Sequence, residues 1–168
     1  MLETIQTLRT SAPAALVPLV LALVLFAVNG ARLFWIDART HLLPNRIIVP
    51  WYPFAIMLLG TAAALAGDWA ALGRTLLAGA VLFGFYLMLH LIQPRGMGLG
   101  DVKLAGILGL YLGYLSWSHL LLGTLAAFVL ASVVGIALIV LRRAGLKTAI
   151  AFGPYMLLGT AGALLVGG

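Results

Sequence analysis

The chain has 168 residues, of which 64% are hydrophobic and 8% are charged, a balance far from that of a soluble globular domain. Its formal net charge of +6 comes from ten dispersed Lys and Arg residues, so we expect a lipid bilayer rather than nucleic acid as its partner. The absence of cysteine excludes disulfides and thiolate metal sites. We therefore expect one membrane-embedded, all-α domain over residues 1–168.

Six apolar runs predict a polytopic bundle of about six transmembrane helices. In chain order they cover residues 14–35, 47–66, 75–92, 102–115, 117–141 and 150–166. The fourth run is shorter than the roughly 17 residues that a crossing needs, so we expect its helix to begin near Asp101 or to join the fifth through a very tight turn. The first run is expected to be a retained helix rather than a cleaved signal peptide, because the segment before it carries Glu3 as well as Arg9.

Glycines spaced three to five residues apart predict close helix packing. These glycines are Gly79 and Gly84, Gly109 and Gly113, and Gly159 and Gly162. They suit a compact bundle and carry no information about activity.

Lysine and arginine residues indicate the topology. With the predicted helices in alternating directions, two basic residues, Arg9 and Arg74, lie at one membrane face and eight lie at the other. The eight are Arg32, Arg39, Arg46, Arg95, Lys103, Arg142, Arg143 and Lys147. Cytoplasmic loops carry the excess of basic residues. We therefore expect a multi-pass inner or plasma membrane protein with both termini outside and with Asp37 and Asp101 at the cytoplasmic face.

Asp37 and Asp101, two of only four acidic residues, stand at the margins of apolar runs. A charge at a bilayer centre costs about 2.5–3.5 kcal/mol on insertion scales, so its retention usually indicates a function. Two adjacent carboxylates cannot both ionise easily, so the pair presents a base beside an acid. Such a dyad can hydrolyse a peptide bond without a metal or cofactor. From the residues alone, the alternative stays open that Asp37 pairs with Arg39 or Lys103 and that Asp101 caps a helix.

A turn is predicted after Asp37. Pro44 disfavours a helical conformation at Leu43, and Asn45 is placed to cap the helix that follows. Pro44 and Asn45 are therefore candidate supporting residues.

A glycine run precedes Asp101. Gly96, Gly98 and Gly100 remove side chains where an extended substrate backbone would need to approach. Lys103 is placed to act on the carboxylates or on a substrate, although a purely topological role is equally open.

Three ordered motifs closely resemble those of the type IV prepilin peptidase family. They are Asp37 with Leu43-Pro44-Asn45, then Gly98-Leu99-Gly100-Asp101-Val102-Lys103, then Phe152-Gly153-Pro154-Tyr155. The resemblance implies a membrane aspartic protease of the Gly-x-Gly-Asp type, with Asp37 and Asp101 as the catalytic pair and no metal or cofactor. It also implies that Gly153 and Pro154 support the active site.

Members of that family cut the short basic leader from prepilins and related precursors at the cytoplasmic membrane face. The resemblance therefore implies a pilin, pseudopilin, Flp pilin or archaellin precursor as substrate, with a basic leader and an apolar N-terminal helix. Many bacterial members also carry a cysteine-bearing segment linked with methylation of the new N-terminus. This chain has no cysteine and resembles the short, peptidase-only form, so we expect no methyl transfer.

Three other readings stay open at this point. Presenilin-type proteases also use Gly-x-Gly-Asp. They carry Tyr-Asp at the first aspartate and Pro-Ala-Leu near the end, where this chain has Ile36-Asp37 and Phe152-Gly153-Pro154-Tyr155. A small ion- or proton-coupled transporter would also use paired carboxylates. A scaffold for pilus or secretion assembly would not need them.

His41 lies one helical turn after Asp37, but no His-Glu-x-x-His pattern accompanies it, so no metal site is predicted.

Overall fold

The computed structural model describes residues 1–94, 96–141 and 151–166, and within them the chain forms seven α-helices and no strand. The helices are α1 (Leu2–Ser11), α2 (Pro13–Thr40), α3 (Asn45–Leu65), α4 (Trp69–Ile92), α5 (Leu99–Leu115), α6 (Trp117–Val140) and α7 (Gly153–Leu165). Each predicted apolar run overlaps one of the helices α2 to α7, which confirms the all-α class. Four basic residues of the topology prediction lie outside the described residues: Arg95, Arg142, Arg143 and Lys147.

Four of these helices, α2, α3, α4 and α6, are long and apolar enough to cross a membrane. Their outer faces expose large apolar side chains, such as those of Leu121, Leu125 and Val129 on α6, and such a surface is stable in lipid rather than in water. Helix α5 has 17 residues and α7 has 13, so a full crossing by these two stays a prediction. The molecule is a helical membrane bundle.

Helix boundaries differ from the predicted runs where polar residues take part in the helix. Helix α1 has no counterpart among the runs, because Glu3 and Arg9 in its end turns make it polar. Helix α4 begins at Trp69 because Asp68 caps it, accepting a hydrogen bond from the Ala71 N–H at 2.8 Å. Ser116 alone separates α5 from α6, which confirms the tight turn.

Helix α5 lies inside the bundle and contacts α3, α4, α6 and α7. Thirteen of its 17 residues are buried, so nearly every face of the helix packs against protein. The closest approach is to α4: a Cβ at Gly109 would stand 2.7 Å from the Ala78 carbonyl oxygen and 2.9 Å from the Gly79 Cα. Because these neighbours are backbone atoms, only glycine fits at this position.

The predicted close packing is also confirmed between α6 and α7. A Cβ at Gly159 would lie 2.6 Å from both the Ala127 nitrogen and the Gly123 carbonyl oxygen. The same expectation is wrong for Gly84 and Gly162, where a Cβ would meet nothing within 4 Å. These two glycines face away from neighbouring helices.

Hydrogen bonds from Arg74 hold the carbonyl end of α5. Arg74 donates from Nε to the Gly113 carbonyl at 2.7 Å and from Nη2 to the Tyr114 carbonyl at 2.9 Å. A cation at the carbonyl end of a helix satisfies free acceptors and complements the helix dipole. This contact gives Arg74 a structural role at the face where basic residues are rare.

A buried hydrogen-bond chain fixes the rotation of α5 against α2 and α3. The Trp51 Nε1–H donates to the Tyr111 hydroxyl at 3.1 Å, and that hydroxyl donates to the Ala22 carbonyl at 3.0 Å. All three side chains are almost fully buried. Since an unpaired polar group here would be costly, these two hydrogen bonds specify one arrangement of the three helices.

We expect Gly109→Ala to lower the free energy of unfolding by about 1–3 kcal/mol, because the added methyl group meets the α4 backbone. Gly84→Ala is the matched control: it adds the same methyl group to open space and should raise stability by about 0.5–1 kcal/mol. Chemical unfolding in detergent measures both. Equal effects of the two substitutions would contradict the packing of α5 on α4.

Candidate active site

Asp37 lies in the last turn of α2, which ends at Thr40. The next residue, His41, adopts a left-handed conformation with φ 53° and donates its N–H to the Asp37 carbonyl at 2.9 Å, which closes the helix. The Asp37 side chain is only 4% exposed. Among the described residues, its Oδ2 is the one buried side-chain oxygen or nitrogen without a hydrogen-bond partner. Such an orphaned group in a folded protein requires an explanation, and catalysis is one.

Asp101 lies in the first turn of α5 and is also buried. Its Oδ2 accepts a hydrogen bond from the Gly98 N–H at 3.0 Å. The N-terminus of a helix stabilises a carboxylate in its first turn. The capping contact that the sequence left open for Asp101 is therefore present, and it orients the carboxylate.

The starts of α5 and α7 and the end of α2 meet around Leu43. A Cβ at Gly153, the first residue of α7, would stand 2.5 Å from Asp37 Oδ2 and 3.4 Å from Leu43 Cδ1. A Cβ at Gly100 would stand 2.7 Å from Leu43 Cβ. Gly100 directly precedes Asp101, so both carboxylates lie in the neighbourhood of Leu43. Two buried carboxylates from distant parts of the sequence thus share one site.

This packing gives two of the predicted supporting glycines a definite structural role. Gly153 leaves the space that the Asp37 carboxylate occupies, and Gly100 leaves the space that Leu43 occupies. Pro154 follows Gly153 as the second residue of α7 and is buried. That the glycines before Asp101 also admit a substrate backbone stays a prediction.

Lys103 connects the start of α5 to the start of α3. Its Nζ donates to Asn45 Oδ1 at 2.9 Å, and its carbonyl accepts from the Tyr52 hydroxyl at 2.6 Å. The expectation that Asn45 caps α3 is wrong, because Pro44 holds the cap position and Asn45 is the first helical residue. The Asn45 side chain is used instead to hold Lys103.

Neither salt bridge considered for Asp37 is formed. The Lys103 ammonium contacts Asn45, and the Arg39 guanidinium lies over the Trp35 ring, 4.1 Å from its centroid. A cation above an indole face is a favourable contact in its own right. Asp37 is therefore buried without an ion pair to Arg39 or Lys103.

Leu43 and Tyr86 belong to the site, although the sequence did not single them out. Tyr86 is 1% exposed, lies near Asp101, and packs against Phe152 with ring centroids 6.1 Å apart. A tyrosine within an apolar run carries no pattern that distinguishes it from core. The position of Leu43 inside the Leu-Pro-Asn motif was a signal that could have found it.

The sequence pattern of the type IV leader peptidase family matches residues 19–140. The chain belongs to this family. The matched range contains both Asp37 and Asp101, and it ends before the segment that carries Gly153. The family assignment favours the prepilin peptidase motifs over those of the presenilin type.

Several curated relatives of the family have the name prepilin leader peptidase/N-methyltransferase. The relative from Aeromonas hydrophila is 37% identical over 128 residues, which are 74% of this chain and 42% of the relative. The relative from Pseudomonas aeruginosa is 35% identical over 128 residues, covering 72% of this chain and 41% of the relative. The relative from Pseudomonas putida is 33% identical over 126 residues, with 72% and 41% covered. The chain thus spans less than half the length of these relatives. No solved structure matches it.

We expect Asp37→Asn to raise the free energy of unfolding by about 1–3 kcal/mol, because the substitution removes a buried carboxylate with one oxygen that has no hydrogen-bond partner. Asp68→Asn is the matched control, since asparagine caps a helix as well as aspartate does, and it should change stability by less than about 0.5 kcal/mol. Chemical unfolding of both purified variants in detergent checks this. Destabilisation by Asp37→Asn would show that the carboxylate serves the fold.

Proposed function

We propose that this chain is a membrane aspartic endopeptidase that removes the leader peptide from type IV prepilin-like precursors. The observation that carries the proposal is the burial of both Asp37 and Asp101 around Leu43, with one Asp37 oxygen unpartnered. Membership in the type IV leader peptidase family supports the same activity. Neither the family match nor the named relatives favour the ion-coupled transporter.

The two carboxylates supply a base and an acid. The ionised one takes a proton from water as the water oxygen bonds to the scissile carbonyl carbon, and the protonated one donates a proton to the carbonyl oxygen. The tetrahedral intermediate then loses its C–N bond: the leaving nitrogen takes the proton held by the base, and one hydroxyl of the intermediate returns its proton to the other carboxylate as the C=O bond re-forms. The products are a leader with a new carboxylate and a mature chain with a free amine. The two carboxylates that this reaction requires lie on α2 (Asp37) and on α5 (Asp101).

We propose that the site faces the cytoplasm and takes a precursor with a short basic leader followed by an apolar helix. The excess of basic residues at the end of the bundle that holds both aspartates supports this orientation. An apolar cavity of about 550 Å³ between α2 and α7 is lined in part by Gly30, Phe34 and Leu157, and Phe34 lies one helical turn before Asp37 on α2. This cavity offers the apolar helix a place beside the dyad.

The proposal covers peptide cleavage. The name of the curated relatives also includes N-methyltransferase, but no residue of the site described here supports methyl transfer. That this chain carries out no methyl transfer stays a prediction.

We expect Asp37→Asn and Asp101→Asn each to lower the cleavage rate of a purified prepilin precursor by about 10²–10⁴-fold, the usual contribution of a positioned acid or base. The rate is measured in detergent by gel shift, and sequencing the product N-terminus locates the cut. Since the chain has four acidic residues, the remaining two provide controls. Glu3→Gln and Asp68→Asn should cleave at the rate of the unsubstituted chain.

Substantial cleavage by either of the first two variants would overturn the dyad. Cells in which both variants still assemble filaments would favour a scaffold instead. A transporter would be favoured if the unsubstituted chain failed to cleave the precursor and instead carried an ion flux that needs both carboxylates.

We expect Gly153→Ala to lower kcat by about 10²-fold, because a displacement of order 1 Å at a catalytic group has an effect of this size. The added Cβ would stand 2.5 Å from Asp37 Oδ2 and must push the carboxylate aside. Gly162→Ala, in the same helix with nothing within 4 Å, is the matched control. Unchanged kcat in a correctly folded Gly153→Ala variant would place the reacting atoms away from Asp37.

A further inference from the structure

A second groove, separate from the dyad, lies between α2 and α3. Its volume is about 340 Å³, and both polar and apolar residues line it. Residues one or two helical turns apart on α2 line one wall, namely Leu25, Asn29 and Arg32. The other wall is a stripe on α3 formed by Arg46, Pro50 and Phe54. Trp51 also lines the groove.

The polarity of the two walls changes in the same direction. Along α2, Arg32 lies nearest the end that holds the aspartates, with Asn29 and then Leu25 further inside. Along α3, Arg46 lies in the first turn, and Phe54 follows eight residues later, about 12 Å along the helix axis. One end of the groove is therefore basic and the inner end is apolar.

The groove is preformed at its floor. Trp51 is 1% exposed, and its indole N–H is held by the Tyr111 hydroxyl. The two arginines are exposed, so their guanidinium groups can meet a ligand from the headgroup region. None of the four acidic residues of the chain lines the groove. Its positive charge thus has no carboxylate inside the groove to neutralise it.

We propose that this groove binds one anionic phospholipid. Two guanidinium groups at its mouth, with the Asn29 amide about one helical turn further inside, match the oxygens of a phosphodiester, which arginine binds through paired N–H donors. The apolar inner end takes the start of an acyl chain, and basic pockets between membrane helices are known to hold such headgroups. A free phosphate would use only the outer half, and a basic peptide would be repelled.

The test is lipid retention by the purified full chain, read by native mass spectrometry. The probes are phosphatidylglycerol and phosphatidylcholine with identical acyl chains. We expect one phosphatidylglycerol to be retained in preference to phosphatidylcholine. The double variant Arg32→Gln/Arg46→Gln should bind phosphatidylglycerol about tenfold or more weakly, since charge-assisted hydrogen bonds contribute most of the selectivity.

Arg39→Gln is the matched control, because Arg39 lies at the same end of α2 but outside the groove, and it should retain the lipid as before. Equal retention by the double variant would overturn the proposal. Displacement of the lipid by millimolar inorganic phosphate would also overturn it, assigning the site to a free anion. If the double variant fails to fold, a photoreactive phosphatidylglycerol on the unsubstituted chain decides: crosslinks within residues 25–54 support the groove, and crosslinks elsewhere contradict it.

Discussion

Direct contact between the backbones of α4 and α5 is the packing interaction on which the site depends. Gly109 lies against Ala78 and Gly79 so closely that no side chain fits between them, and this allows α5 to lie inside the bundle with most of its surface buried. In lipid, where helices gain nothing from hiding apolar groups from water, such tight packing is a main source of association. The depth of α5 then determines where Asp101 lies.

The two ends of α5 are held by different chemistry. At its carbonyl end, Arg74 satisfies two free acceptors, and at its amide end Asp101 accepts the Gly98 N–H while Lys103 binds Asn45. These contacts fix the helix along its axis, so the Asp101 carboxylate is presented at one depth. The site is thus built from a rigid helix start rather than from a free loop, as precise catalytic geometry requires.

The sequence predicted what depends on local patterns. Apolar runs located α2 to α7, and the rarity of acidic residues pointed to Asp37 and Asp101. It did not predict α1, whose polarity conceals it. Contacts between residues far apart in the chain were also beyond reach: Asn45 was expected to cap its own helix, but it binds a lysine 58 residues away. The proximity of Tyr86 to Asp101 likewise depends on how α4 packs, which no local pattern records.

The proposed reaction requires that folding bring Asp37 and Asp101 together at one end of the bundle. Because the chain has no cysteine, Asp37→Cys/Asp101→Cys introduces a single thiol pair, whose distance a short thiol-specific crosslinker reports directly. Asp37→Cys/Asp68→Cys is the control, since Asp68 caps α4 at the opposite end of α5, about 18 Å away along the helix axis. The structure predicts rapid crosslinking of the first pair and none of the second. No crosslinking of the first pair, or equal crosslinking of both, would contradict it.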